Sequence, residues 1–362
     1  MSFYRKVIWV YLIVLAIGIK IVSYFPRVVE RWYSNGLYPQ ISRAQRVLFG
    51  WVPFSVGDIL YLGVAIWLLY GLVRFIRRLV KREADSAYLL TSLRKTVFFC
   101  LLVYVLFNGL WGLNYNRQDI AEQLQLDVRP YSTEELTRLL QGISDRLAVM
   151  DSVRLTDRDR FRHHRFLFDM AIDAYQRRGT LNSLFSYNHP SIKASLFSYL
   201  GDYIGFLGYY NPFTGEAQVN TTVPVFTQPF TACHEIAHQM GYAKENEANL
   251  MGYLTIRGWG ETSPAFEYSA DFEIYMYAAK ELYQRDSTLY QPFRAEQRPG
   301  CRQDIREMQA FERRYTNPIS PFIWMAYGHY LRANRQPQGI RTYSEVLAWL
   351  IAYENKYGWN FD

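Results

Sequence analysis

His234, Glu235 and His238 stand in the order His-Glu-Ile-Ala-His. On an α-helix, residues four apart share a face, so both imidazoles can aim a ring nitrogen at one cation, with Glu235 about 100° round the axis from His234. The pattern is HExxH, in which two histidines hold Zn²⁺ and the carboxylate takes a proton from a water that the metal activates. By composition alone it arises in roughly one chain in a hundred of this length, so its surroundings decide its weight. Between Val219 and Met251 the charged residues are Glu235, Lys244, Glu245 and Glu247, and the segment otherwise offers Phe230, Ala232, Cys233, Ile236, Ala237 and Met240. A carboxylate on so apolar a helix is costly to bury without a partner, and a cation would be that partner. Without a cation, the same residues read as two core histidines bonded to backbone, with Glu235 turned to solvent.

A catalytic zinc ion takes three protein ligands and keeps one position open. Gly241 is placed to end the helix and turn the chain back, and a second helix is expected from about Glu245. Glu245 and Glu247 are both candidates for the third ligand, although an acidic residue in a first helical turn also suits the helix dipole without any metal. The stretch Glu245-Asn246-Glu247-Ala248-Asn249 resembles the one in which gluzincin metallopeptidases carry their third ligand, with Asn in place of Asp. That resemblance implies Glu245 as ligand, Glu247 in reserve, and Asn249 as the partner that orients a histidine. The separation of seven residues from His238 is shorter than in most gluzincins. It is closer to the Gly turn of metzincins, whose histidine position is Lys244 here. Three apolar segments followed by Tyr209-Tyr210-Asn211-Pro212-Phe213-Thr214-Gly215-Glu216-Ala217 and HExxH make the whole chain similar to an uncharacterised, Bacteroidetes-type family of bacterial inner-membrane proteins.

Those apolar segments run over about 7–25, 59–76 and 96–113, each close to the roughly 17–25 residues that span a hydrocarbon layer. Arg5 and Lys6 precede the first, but Phe25-Pro26-Arg27 offers no small-residue cleavage site, which argues for an anchor over a removed signal. Residues 1–117 hold 15 Lys/Arg and 4 Asp/Glu, a net +11, whereas the rest holds 25 and 29, a net −4. The positive charge therefore flanks membrane segments, which argues against a nucleic-acid surface on the folded domain. Arg77, Arg78, Lys81, Arg82, Arg94 and Lys95 crowd the connection between the second and third segments. By the positive-inside rule this connection is cytoplasmic, and everything after about Asn114 lies outside the cytoplasm. The connection from Pro26 to Gly57 carries Arg27, Arg31, Arg43 and Arg46 at lower density.

From Asn116 the composition is that of a folded domain. Ser132-Thr133-Glu134-Glu135 is a capping box ahead of a helix with Leu136, Leu139, Leu140, Ile143 and Leu147 on one face. A helix is expected from about Asp159 to Arg178, stopping at Gly179, with His163 and His164 on a solvated face. Asn211-Pro212-Phe213-Thr214-Gly215 reads as a turn, followed by a strand over 216–223 whose place upstream of HExxH suits the edge strand of a substrate cleft. Neither a GxGxxG nor a GxxxxGK[ST] loop is present. Cys100, Cys233 and Cys301 form no CxxC motif, and Cys233 and Cys301 read as buried free thiols rather than a pair. His329 is a candidate transition-state donor, although a core or surface role is commoner for such a residue.

The expected fold is mainly α: a membrane region over 1–115 with three transmembrane helices, then a zincin-like α+β domain over 116–362 with a small sheet. The expected function is a multi-pass, membrane-anchored zinc metallopeptidase of the bacterial inner membrane, its domain periplasmic, acting on a peptide or protein with Glu235 as general base. Its partners would be that substrate and the lipid bilayer, with no nucleic acid. The alternative from another class is a non-catalytic membrane scaffold or sensor with a structural zinc site, for which a fourth ligand would be needed.

Overall fold

In a computed structural model the chain is mainly helical, with one small sheet, and residues 3–155, 158–257 and 263–358 are described. The side chain of Arg5 and the last four residues of the expected domain lie outside the described residues. Val56–Val80 and Ser86–Leu110 are each long and apolar enough to cross a membrane. Ser55 and Asp85 cap them, the side chains accepting the backbone N–H of Asp58 and Tyr88, and a five-residue turn joins the two helices. The first apolar segment is the helix Phe3–Val22, packed on Ser86–Leu110 through contacts such as Trp9 against Phe98. It qualifies as a span only jointly with the helical stretch after it, from which it is bent by 106°.

That stretch is where the structure departs from the expected layout. Residues 26–49 form no loop; they run as helix, with a π-helical portion over Val29–Leu37 and an α-helix over Tyr38–Phe49, along the base of the domain. Glu30 and Arg117 make a buried bidentate pair at 2.8 Å, and Arg117 also donates to the Gly241 carbonyl. Tyr38 donates to the Gln239 carbonyl at 2.7 Å, and Gln45 to that of Pro212 at 2.9 Å. Val29, Tyr33, Tyr38, Trp111, Tyr115 and Tyr210 close a small core of their own there. Residues on both sides of the expected 115/116 boundary share this cluster.

The sheet has the order β1-β3-β2, with β1 (Ile192–Ala194) parallel to β3 (Glu216–Val219) and β2 (Gly208–Asn211) antiparallel to it. The strand expected over 216–223 is therefore shorter and central, and β2 is the edge beside the site. An Asx turn at Asn211, whose Oδ1 accepts from Phe213 and Thr214, and Gly215 at φ +70° reverse the chain between β2 and β3. Glu216 ties β3 to the apolar helix Val56–Val80. Its buried carboxylate accepts from the N–H groups of Val56 (3.1 Å) and Gly57 (2.6 Å) at the start of the second span, and pairs with buried Lys193 at 2.6 Å. A helix N-terminus presents unpaired N–H groups, which a carboxylate satisfies.

The main core lies between the HExxH helix, Gln228–Gln239, and the helices Thr133–Met150, His164–Leu181, Glu245–Arg257 and Pro264–Arg285. The Ser132 capping box is present, and Leu136, Leu139, Leu140, Ile143 and Leu147 are buried. The helix expected at Asp159 begins at His164, after a short 3₁₀ turn, and runs past Gly179 to Leu181. All three cysteines are free, Cys233 and Cys301 buried.

Candidate metal centre

Pro229 opens the HExxH helix, and Gly241 closes it at φ +95° with a Tyr242 N–H to Ala237 carbonyl bond, the pattern of a Schellman cap. The chain then re-enters helix at Glu245, as the spacing predicts. Gly252 sets how closely the two helices meet: a Cβ there would lie 3.2 Å from the His234 backbone nitrogen. The crossing brings His234, His238 and Glu245 together, with one ligand atom of each within 4.8 Å of the others. His234 Nε2 and His238 Nε2 stand 3.2 and 3.4 Å from Glu245 Oε2.

Both imidazoles are held from behind. His238 Nδ1 is 2.8 Å from the Tyr242 carbonyl, which can only accept, so Nδ1 carries a proton and Nε2 is the nitrogen that faces Glu245. His234 Nδ1 is 2.7 Å from Asn249 Oδ1, the contact that the gluzincin resemblance implies, and Asn249 donates in turn to the Tyr343 carbonyl. Tyr327 donates to Glu245 Oε1 at 2.8 Å, while Glu245 Oε2 accepts no hydrogen bond. Two ring nitrogens and an unpartnered carboxylate oxygen thus converge in a buried space, an arrangement that needs a cation or a proton between them. Tetrahedral Zn²⁺ with bonds of about 2.0–2.1 Å holds its ligand atoms about 3.3 Å apart, so the donor set fits that ion. Glu247 does not join them: it is buried against the Ile120 N–H, near Arg117 and the Lys244–Asp119 pair.

The electrostatics carry the same mark. Burial would lower the His238 pKa, but the Glu245 carboxylate overrides it and lifts it to about 9. His234 is lowered by burial despite Glu245. Glu245 is buried too, yet the two histidines hold it well below the usual carboxylate range. Burial pushes Glu235 up to about 8, with His238 opposing and Glu245 adding to the rise. Glu235 Oε2 has no hydrogen-bond partner. Its carboxylate lies against Gly208 of β2, where a Cβ would come within 2.6 Å of Oε1. Only glycine lets the edge strand pass so close.

A cavity of about 1230 Å³ opens onto these residues. Tyr327, Tyr330 and Tyr343 line it, and Tyr343 stacks at 6.3 Å on the His234 ring. His329 is exposed and does not line the cavity; Tyr327, two residues earlier, reaches it instead. His163 and His164 lie away from this group. The tyrosines and Gly208 carried no sequence signal, since the chain has thirty tyrosines and 22 glycines.

Residues 33–351 match the model of a family described as a protein of unknown function, DUF3810. The chain belongs to that family. No curated protein and no solved structure matches it. DUF3810 carries no assigned chemistry, so the likeness to gluzincins rests on the residues of the site alone.

Proposed function

We propose that this DUF3810 protein is a membrane-anchored, zinc-dependent metallopeptidase that hydrolyses a peptide or amide bond. The observation that carries the reading is the convergence of His234 Nε2, His238 Nε2 and the unpartnered Glu245 Oε2, with Glu235 buried and unpartnered beside them. His234, His238 and Glu245 would hold the ion, and Asn249 and the Tyr242 carbonyl fix the imidazoles for it. When bound, Zn²⁺ lowers the pKa of a water and polarises a carbonyl. Glu235 accepts the proton of the attacking water at its carboxylate and returns it to the leaving nitrogen. Tyr327 donates to Glu245 and steadies that ligand, while Tyr343, its hydroxyl 3.1 Å from that of Tyr327, lines the same cavity as a hydroxyl donor for the oxyanion. A structural zinc site would want a fourth protein ligand, and among the described residues this group has three.

The address is part of the proposal. Residues 26–58 and the domain share one end of the two spans, and Arg74, Arg77, Arg78, Lys81 and Arg82 cluster at the other. The positive-inside rule then supports a domain outside the cytoplasm, periplasmic in an inner-membrane protein. Reporter fusions after Asn116 and after Lys81 test this, with opposite signals expected.

The chemistry is tested with Glu235→Gln. That variant should bind zinc at the wild-type stoichiometry, measured by plasma mass spectrometry, and hydrolyse no mixed-sequence quenched peptide. Full activity in it would sink the mechanism, and absence of zinc from the wild type would sink the site.

A further inference from the structure

The cavity of the metal centre is walled on one side by the membrane helices. Tyr61 of the second span and Val103 and Phe107 of the third line it together with His234, Glu235 and His238. Tyr61 stands five residues after Val56, about 7.5 Å along the helix, and Val103 seven residues before Leu110, about 10 Å back from that end. Both positions fall inside the uncharged runs 59–73 and 96–110 that a bilayer would cover. Elsewhere the same helices turn their apolar side chains outward, as with Ile66 and Leu69. The centre itself is fastened to the third span. Trp111, the residue after that helix, donates from Nε1 to the His238 carbonyl at 3.0 Å, and its ring lies 6.1 Å from the imidazole. One aromatic side chain therefore separates the site from the end of a membrane helix.

Other parts of the lining have the opposite character: Lys280, Glu281, Arg285 and Arg341 carry both signs of charge. The edge strand β2 lines the cavity as well, through Gly208, Tyr209 and Tyr210. An edge strand offers main-chain donors and acceptors to an extended backbone, which a lipid acyl chain cannot use. The space also exceeds the roughly 300–1,000 Å³ that a small ligand fills.

Resting on the peptidase reading, we propose that the substrate is a polypeptide anchored in the same bilayer, cut in the segment where it leaves the membrane surface. Its apolar part lies along Tyr61, Val103 and Phe107, its backbone runs beside β2, and its polar continuation leaves past Lys280 and Arg285.

The test uses the full chain, zinc-loaded, in vesicles of phosphatidylethanolamine and phosphatidylglycerol. One mixed-sequence quenched peptide is offered free, fused directly to a Leu/Ala membrane helix of about 20 residues, or fused to that helix through a long Gly/Ser linker. The directly fused form should be cut at least about tenfold faster than the linked form, which shares its local concentration but not its depth. In the Glu235→Gln variant, benzoylphenylalanine at position 61 should crosslink the directly fused peptide, and the same group at position 66 should not. Equal rates for the direct and linked forms overturn the inference and leave the peptidase reading intact. Hydrolysis of a labelled phospholipid in place of the peptides also overturns it. No cleavage of any form by zinc-loaded protein defeats the peptidase reading itself, and the inference with it.

Discussion

Replacing Gly208 by alanine tests how the edge strand sets Glu235, the proposed general base. The added Cβ would stand 2.6 Å from Glu235 Oε1, 2.8 Å from Glu235 Cγ and 2.8 Å from the Gln218 carbonyl. The carbonyl belongs to β3, the central strand, and is held by the ladder on both sides. Glu235 must therefore give way, by about 0.9 Å if a normal contact of about 3.5 Å is to be restored. A misplacement of about 1 Å costs on the order of a hundredfold in rate, or about 2.7 kcal/mol of barrier. Overpacking of this kind costs about 1–3 kcal/mol in stability. The ligands stay in place, because none of them touches the new methyl group among the nearest atoms. Zinc-loaded Gly208→Ala should thus keep its metal, melt a few degrees lower and hydrolyse quenched peptides about a hundredfold more slowly. A rate within about twofold of wild type, with zinc retained, would refute the placement of Glu235 as base.

Other consequences are open to measurement. Because the His238 pKa is raised to about 9, the metal-free protein holds that proton through neutral pH and loses it as the pH rises through about 9. Zinc uptake at pH 7.5 should then release about one proton, read from calorimetry in buffers of different ionisation enthalpy, and zinc affinity should fall about tenfold per pH unit below that value; uptake without proton release contradicts this. Asn249→Ala frees His234 Nδ1 and should weaken zinc binding about 10–100-fold by competition with a chromophoric chelator, whereas unchanged affinity would deny Asn249 its orienting role. Lys193→Met leaves the Glu216 carboxylate buried without its cation and should lower stability by about 3–5 kcal/mol, seen as a lower Tm in detergent; an unshifted Tm would mean that β3 is not anchored to the second span in this way.

The parts of the site that are local in sequence were legible from it. Helical spacing alone puts His234 and His238 on one face, only a residue tolerant of positive φ fits at Gly241, and the next helix starts at Glu245 after that turn. What comes from far along the chain was not. Tyr327 and Tyr343 reach the centre by tertiary packing, and neither has a neighbour pattern that marks it. His329 shows why proximity in sequence misleads: two residues from Tyr327 is about 200° around a helix, so the face that offers Tyr327 turns His329 to solvent. Strands of three and four residues are too short for alternation to separate a central strand from an edge. Residues 26–49 mislead for another reason, since arginines and aromatics between two apolar segments have the composition of an interfacial loop. Their partners, Gly241, Gln239 and Pro212, offer backbone carbonyls, which no sequence pattern announces.

Those carbonyls connect the membrane region to the chemistry. Gly241 and Gln239 lie at the C-terminal end of the HExxH helix, where the last carbonyls have no intrahelical partner. Arg117 and Tyr38 fill that need at Gly241 and Gln239, and Trp111 adds a second bond to the His238 carbonyl, which also accepts the Gly241 N–H. From the other direction, Glu216 caps the second span and lies on the strand that pairs with β2, so the backbone beside Glu235 is also referred to a membrane helix. Glu235 and the His238 imidazole are therefore located by two different apolar helices, and cutting the chain at residue 116 would leave the end of the HExxH helix and the sheet with unpaired polar groups. On this physical ground the apolar third of the chain is part of the site's framework.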